Sequence, residues 1–157
     1  MNKCILENNN KGCEKITKEK VLNMFADGYD CSQIVLSNVS DKLGITKETA
    51  LKAAAAFGGG MWHGETCGCV VGALIALGLK YGTVVPKDEE GKSNLLQKKA
   101  EFEQKFCDKC DSCICREILG YDLSVPEEMK MIQEKKLLET KCPEVVCSAY
   151  EILEKML

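Results

Sequence analysis

One stretch of the sequence, residues 57–82, constrains the fold more than any other. It opens with a run of glycines, passes through Cys67 and Cys69, and continues into residues 70–79, the longest apolar run in the chain. This run is too short to cross a bilayer, which needs about 20 apolar residues. A helix that is apolar on all sides is usually buried at the centre of a globular domain. We therefore predict a central helix that begins at two cysteines, beside a glycine loop that can lie close against whatever the thiols hold.

Length and composition predict a single helical domain. A chain of 157 residues can bury a sizeable core, and its three prolines and 6 % aromatic residues are typical of a helical protein. We expect an all-α fold in which a loosely ordered segment, residues 1–15, precedes one compact multi-helix redox domain, residues 16–157.

Cap residues and glycines set the boundaries of the other predicted helices. These helices cover about residues 18–27, 32–43, 46–57, 93–110, 126–137 and 143–156. The residues predicted to face the core are Val21, Leu22, Met24 and Phe25 in the first helix and Val145, Val146, Ala149, Ile152 and Leu153 in the last. Residues 116–120 are predicted to form a helical turn that Gly120 closes. The third helix presents a face of alanines and the central helix carries Gly68, Gly72 and Gly78, so we expect these two helices to pack closely. The charged stretch 87–92 is predicted to be a solvated loop.

Cysteine is the outlier of the composition, with eleven residues in the chain. The N-terminus lacks the apolar segment of a secretory signal, so we predict a cytoplasmic protein, in which disulfides would not persist. Thiols in a reducing compartment indicate metal, cluster or redox chemistry. Cys4 and Cys13, in the N-terminal segment, are interpreted as incidental, and Cys147, inside the last predicted helix, as a core residue.

Residues 107–115 hold four cysteines with the spacing C-x2-C-x2-C-x-C, namely Cys107, Cys110, Cys113 and Cys115. Packing does not explain so many thiols in so short a segment. Soft thiolate ligands select zinc, copper(I) or iron–sulfur clusters. The first three cysteines are spaced as in a bacterial ferredoxin, whereas the fourth is not. We expect at least one of these thiols to take part in metal, cluster or redox chemistry.

Three further cysteines lie at predicted helix starts. Cys31 falls in the first turn of the second helix, Cys67 precedes the central helix, and Cys142 precedes Pro143 at the start of the last helix. The free N–H groups and the field of a helix N-terminus favour the thiolate. Thiolates that converge from several helix ends are what an iron–sulfur cluster needs.

Four separated pieces of the sequence resemble a known family. They are Cys31-Ser32-Gln33, residues 57–82, residues 115–127 with the sequence CREILGYDLSVPE, and Cys142-Pro143. In order and spacing they resemble the redox-active proteins named for the pattern C…GCAxxG…C…C. The resemblance implies an all-helical fold, similar to a domain that accompanies the haem part of split-Soret cytochromes. It also implies iron–sulfur binding, without an established reaction.

The resemblance assigns the family's cysteines to Cys31, Cys67, Cys115 and Cys142. The alanine that follows Cys-Gly in the family is Cys69 here, so either Cys67 or Cys69 is the functional thiol. The predicted metal ligands are thus these five residues. Cys107, Cys110 and Cys113 are additions to the pattern and are secondary candidates, which could replace a ligand, form a second site or act as resolving thiols.

Three functions are consistent with these residues. The first is an iron–sulfur protein that passes electrons to a protein partner, since no GxGxxG motif provides a site for NAD or flavin. The second is a metal-free thiol–disulfide redox protein with a reactive pair at Cys67 and Cys69 or at Cys107 and Cys110. The third is a structural module with a closed Cys4 zinc site.

Other classes of function are disfavoured. Lys and Arg are scattered over a chain of net charge −3, which argues against nucleic acid as a partner, and no apolar run is long enough to place the chain in a membrane. No P-loop, HExxH motif or Ser–His–Asp arrangement supports kinase or hydrolase chemistry. His63, the single histidine, is interpreted as a surface residue.

Overall fold

The computed structural model describes residues 15–157. Residues 1–14, which include Cys4 and Cys13 and nearly all of the segment predicted to be loosely ordered, lie outside the described residues. Between residues 15 and 157 the chain forms nine α-helices and no strand, so the prediction of an all-α fold is confirmed. No helix in this range is long and apolar enough to cross a membrane.

Most helices begin or end at the predicted residues. Thr17 caps the first helix by accepting a hydrogen bond from the backbone N–H of Lys20, and Gly44 and Gly120 end helical segments with a left-handed backbone. In chain order the helices are α1 (Lys18–Ala26), α2 (Cys31–Ser37), α3 (Lys47–Ala53), α4 (Gly68–Tyr81), α5 (Glu89–Cys110), α6 (Cys115–Leu119), α7 (Pro126–Glu134), α8 (Leu137–Thr140) and α9 (Cys142–Glu154), with a short 3₁₀ helix at Ser40–Leu43.

Several predicted boundaries are wrong. The third helix ends at Ala53 rather than at residue 57, and α7 ends at Glu134 rather than at residue 137. Two other boundaries differ for local reasons. The helix predicted over 32–43 stops at Ser37 because the side-chain amide of Asn38 donates to the carbonyl of Ile34 at 2.7 Å, which competes with continuation of the helix. The long helix starts at Glu89 rather than near residue 93. Asp88 accepts a hydrogen bond from the N–H of Gly91 at 2.8 Å and caps it, so part of the charged stretch is helix rather than loop.

The central helix α4 packs most extensively against α2, and then against α5 and α9. The expectation that its glycines face the alanine helix is therefore wrong: α3 lies mainly against α2 instead. Gly72 explains the close approach, because a Cβ atom on this residue would stand 2.6 Å from the carbonyl oxygen of Ser32 on α2. The last turn of α4 emerges from the core, with Leu79 50 % exposed.

The core on the far side of α4 comes from the two long helices α5 and α9. Phe102 and Phe106 of α5 are fully buried and stack with their ring centroids 5.9 Å apart. The apolar face predicted for the last helix is buried as expected and consists of Val145, Val146, Ala149, Ile152 and Leu153. These contacts fix the positions of the helix N-termini that carry the cysteines.

Replacing Gly72 by alanine is expected to lower the free energy of unfolding by about 1–3 kcal/mol, because the added methyl group meets backbone that cannot rotate away. The measurement is urea unfolding under reducing conditions, followed by circular dichroism. Gly78→Ala is the matched control on the same helix: a Cβ there has no neighbour within 4 Å, so stability should be unchanged or rise by up to about 1 kcal/mol. Equal effects of the two substitutions would contradict the packing of α4 on α2.

Candidate redox site

The predicted cysteines lie around one cavity of about 420 Å³. Its wall includes all five of them, Cys31, Cys67, Cys69, Cys115 and Cys142. Most of the remaining wall is apolar, and it includes Leu22 and Phe25 of α1, two residues that the sequence pattern assigned to the core. The cavity is therefore a largely apolar space that five thiols border.

Four of these cysteines stand at helix N-termini. Cys31, Cys115 and Cys142 are the first residues of α2, α6 and α9, and Cys67 is the N-cap of α4. The sequence predicted this position for Cys31, Cys67 and Cys142 but placed the helical turn of α6 one residue later, and so missed Cys115. Gly120 ends α6, as predicted.

A backbone bridge holds Cys67 beside Cys115. The N–H of Cys67 donates to the carbonyl of Cys113 at 2.8 Å, and the N–H of Cys115 donates to the carbonyl of Glu65 at 2.6 Å. Between these bonds, Thr66 and Ile114 form an isolated antiparallel bridge. The loop before the central helix is thereby joined to the cysteine-rich segment, although the two are far apart in the sequence.

The glycine loop folds tightly against the bridge. Gly59, Gly60, Met61 and Trp62 all have left-handed backbone, with φ between 56° and 62°. At Gly60 a Cβ atom would lie 2.5 Å from the backbone nitrogen of Glu65 and 2.9 Å from the Cβ of Cys115, so only glycine fits there. Non-glycine residues with this backbone are strained, and such strain concentrates at functional sites. Nothing in the residue types of Met61 and Trp62 predicted this backbone.

Trp62 lies at the cavity and His63 does not. Trp62 lines the cavity while 54 % of its surface is exposed, and the exposed His63 is absent from the wall. The prediction that His63 is a surface residue agrees with this position.

Three of the thiols contact one another. The thiols of Cys67 and Cys69 donate hydrogen bonds to the sulfur of Cys31, which holds the pKa of Cys31 well below its usual range, and backbone N–H groups of Gly59 and Ser32 add to the effect. The same hydrogen bonds to Cys31 raise the pKa values of Cys67 and Cys69. A Cβ on Gly68 would come within 2.5 Å of the Cys31 sulfur, so this glycine makes room for the contact.

The other two thiols that line the cavity, Cys115 and Cys142, have raised pKa values. Burial raises the pKa of Cys115 to about 12, and nearby negative charge on Cys31 and Asp122 adds to the shift. Burial also raises the pKa of Cys142, with a further contribution from Cys31 and Cys115. A helix N-terminus was expected to favour the thiolate at Cys31, Cys67 and Cys142. Only the pKa of Cys31 is lowered, mainly by the hydrogen bonds from Cys67 and Cys69, whereas the contact of Cys67 with Cys31 and the burial of Cys142 raise the pKa values of those two thiols.

The segment after α6 closes one wall of the cavity. Asp122 accepts hydrogen bonds from the backbone N–H and the hydroxyl of Ser124, at 2.9 and 2.7 Å, which turns the chain before Pro126 starts α7. This turn places Leu123 in the wall, against Gly59. Arg116 pairs with Glu65 and fastens α6 to the glycine loop. The residues of segment 115–127 that resemble the family therefore hold the wall of the cysteine cavity in place.

The secondary candidates lie outside the cavity. Cys107, Cys110 and Cys113 are not part of its wall, and the sulfurs of Cys107 and Cys113 are 2.6 Å apart. The side chain of Cys110 instead contacts Ser148 of α9. Cys147 is partly buried on α9 and packs against the core, as its interpretation as a core residue predicts.

The thiols around the cavity suit an iron–sulfur group in their chemistry, although they are not arranged around a single metal ion. In the part of the chain that is described, no group of three or more His, Cys, Asp or Glu side chains is arranged to hold a single metal ion. The chemistry of the donors nevertheless fits an iron–sulfur group, since five thiols and no competing imidazole share one largely apolar cavity. An alternative zinc site would use the same thiolates.

The chain is an all-α scaffold that gathers cysteines at helix N-termini around a largely apolar cavity. Residues 29–156 match the family model described as "Putative redox-active protein (C_GCAxxG_C_C)", and the chain belongs to this family. Neither a search of curated proteins nor one of solved structures found a match. The similarity to split-Soret cytochromes stays a prediction.

Proposed function

We propose that the protein binds an iron–sulfur cluster through the cavity cysteines and exchanges electrons with a protein partner. The observation that carries this proposal is the gathering of Cys31, Cys67, Cys69, Cys115 and Cys142 on one cavity wall. Four of the five follow the pattern of a redox-active family. A bound cluster would supply a centre that takes up and returns single electrons.

The chain itself has defined tasks in this proposal. Cys31, Cys67, Cys115 and Cys142 are the proposed ligands, each at a helix N-terminus whose free N–H groups stabilise negative charge on sulfur. Cys69 is the alternative to Cys67. The apolar residues of the wall, such as Leu119 and Leu123, keep water away from the sulfurs.

The partner is proposed to approach at Trp62. This side chain lines the cavity on one side and is more than half exposed on the other, so it is a surface point close to the thiols. Because the sequence has no dinucleotide motif, another protein is the proposed source of electrons.

A second candidate function uses the same cavity without metal. It is favoured by one specific observation, the hydrogen-bonded group of Cys31, Cys67 and Cys69, in which the hydrogen bonds from Cys67 and Cys69 lower the pKa of Cys31. Two of these thiols would be oxidised to a disulfide, giving two electrons and two protons to a partner. A zinc module remains the third possibility, with the same ligands and no redox change.

Reductive titration of protein purified under anaerobic conditions tests the proposal. A cluster predicts visible absorption that bleaches on reduction by one electron and returns on oxidation, with an electron paramagnetic resonance signal in one of the two states. Colourless protein that loses two free thiols on oxidation would instead support the dithiol function. A protein that contains zinc and neither takes up nor releases electrons would contradict both the cluster and the dithiol function.

A further inference from the structure

We propose that Cys107 and Cys113 form a second redox site, a dithiol that exchanges with disulfide substrates and closes to an intramolecular disulfide. The two sulfurs lie 2.6 Å apart, and a disulfide bond is about 2.05 Å long. Both residues are free and partly exposed, and neither lines the cavity. The inference is independent of whether the cavity binds a cluster.

The end of α5 builds this pair. The helix stops at Cys110, and Asp111 takes a left-handed backbone with φ 66°, which turns the chain back on itself. Cys113 then lies beside the last turns of α5, where its thiol donates to the carbonyl of Glu103 at 3.7 Å. On its other side, the carbonyl of Cys113 accepts the N–H of Cys67, so the returning segment is held from two directions.

Cys113 rather than Cys110 is the partner of Cys107. Cys107 and Cys110 are three residues apart on one helix face, and the sequence made them a candidate pair. In the folded chain the side chain of Cys110 faces α9 and contacts Ser148. The contact between sulfurs is formed by Cys107 and Cys113 alone among these three residues.

The exchange balances in two steps. The Cys107 thiolate attacks one sulfur of a substrate RSSR, forms the mixed disulfide of Cys107 with SR, and releases RS⁻. Cys113, whose thiol also contacts the carbonyl of Glu103 at 3.7 Å, is assigned as the second, resolving thiol of the pair. Cys113 then loses its proton and attacks the Cys107 sulfur, which releases the second RS⁻. The two leaving thiolates take up the two protons, so that two thiols of the protein are oxidised and one RSSR is reduced to two RSH.

In the test, the reduced 157-residue chain is equilibrated with glutathione buffers in which the fraction of oxidised glutathione increases. Free thiols are then alkylated and the peptides are identified by mass spectrometry. Trypsin places Cys107 in the peptide 106–109 and Cys113 in the peptide 110–116, together with Cys110 and Cys115. We expect these two peptides to become linked in one reversible two-electron transition, with fragmentation assigning the link to Cys113. A link from Cys107 to Cys110 or Cys115, or no link when other thiols oxidise, would overturn the proposal.

Serine variants distinguish the Cys107–Cys113 pair from the neighbouring cysteines. Cys113→Ser should trap glutathione on Cys107, whereas Cys110→Ser should leave the transition and the linked peptides unchanged. The site is independent of the cavity, so Cys107→Ser should leave the iron content of the protein as it is. Loss of iron in Cys107→Ser would contradict a separate site, because the thiol would then belong to the cavity ligands.

Discussion

Serine in place of Cys115 is expected to weaken iron binding at least about tenfold and so to lower the iron and acid-labile sulfide bound per chain, since even the loss of an outer-shell partner costs about 10–100-fold in metal affinity. The residue is 7 % exposed and lines the cavity at the N-terminus of α6. A hydroxyl keeps nearly the same shape but is a poor ligand for a soft metal centre. Cys31→Ser and Cys142→Ser should have the same effect, measured as iron and sulfide per chain together with visible absorption.

Cys147→Ser is the matched control for these variants. Cys147 is partly buried on α9, the helix that also carries Cys142, but it does not line the cavity. Iron should therefore stay at the level of the unmodified protein. Full iron content in Cys115→Ser, or equal loss in Cys147→Ser, would show that the cavity cysteines are not the ligands. Far-ultraviolet circular dichroism confirms that each variant is folded.

Alanine at Gly60 is expected to lower the free energy of unfolding by about 3 kcal/mol or more, because a left-handed backbone and an unavoidable overlap add together. The residue has φ 62°, and its Cβ would lie 2.5 and 2.6 Å from the backbone nitrogen and oxygen of Glu65. The same atom would press on Cys115 at 2.9 Å. Bound iron should therefore fall together with stability, which urea unfolding and iron analysis of the same preparation would measure.

Gly44→Ala isolates the part of this effect that comes from the backbone alone. Gly44 has a similar left-handed φ of 67°, but a Cβ there has no neighbour within 4 Å. Its substitution should lower the free energy of unfolding by only about 1 kcal/mol and leave the iron content unchanged. If the two variants lost stability equally, the tight fit of the glycine loop against Cys115 would be wrong.

The helical fold could be predicted because its signals are local. Thr17 and Pro126 mark helix starts, and Gly44 and Gly120 mark ends, each through a backbone preference that acts within a few residues. The apolar face of the last helix followed from its period. The helix that packs against the central helix could not be predicted from local signals, because Gly72 and the alanines of α3 are compatible with many neighbours. Only the folded chain shows that Ser32 lies against Gly72.

The candidate site was predictable as a set of residues, but its geometry was not. Spacing and family pattern identified the five cysteines that share the cavity. The hydrophobic period of a helix does not distinguish a core residue from a residue of a cavity wall, so the prediction assigned Leu22 to the core although it lines the cavity. The bridge between Thr66 and Ile114 is a long-range contact, and the left-handed backbone of Met61 and Trp62 has no signature in residue type. Neither the thiol contacts of Cys31 nor their effect on its pKa could be deduced without these positions.

Iron and acid-labile sulfide analysis of protein purified without oxygen tests the central claim most directly, namely that the cavity cysteines hold an iron–sulfur cluster. We predict iron and sulfide in matching amounts per chain, with broad absorption near about 400 nm. Colourless protein without iron, whether it contains zinc or no metal, would contradict the claim and leave the thiols of Cys31, Cys67 and Cys69 as the redox centre to examine.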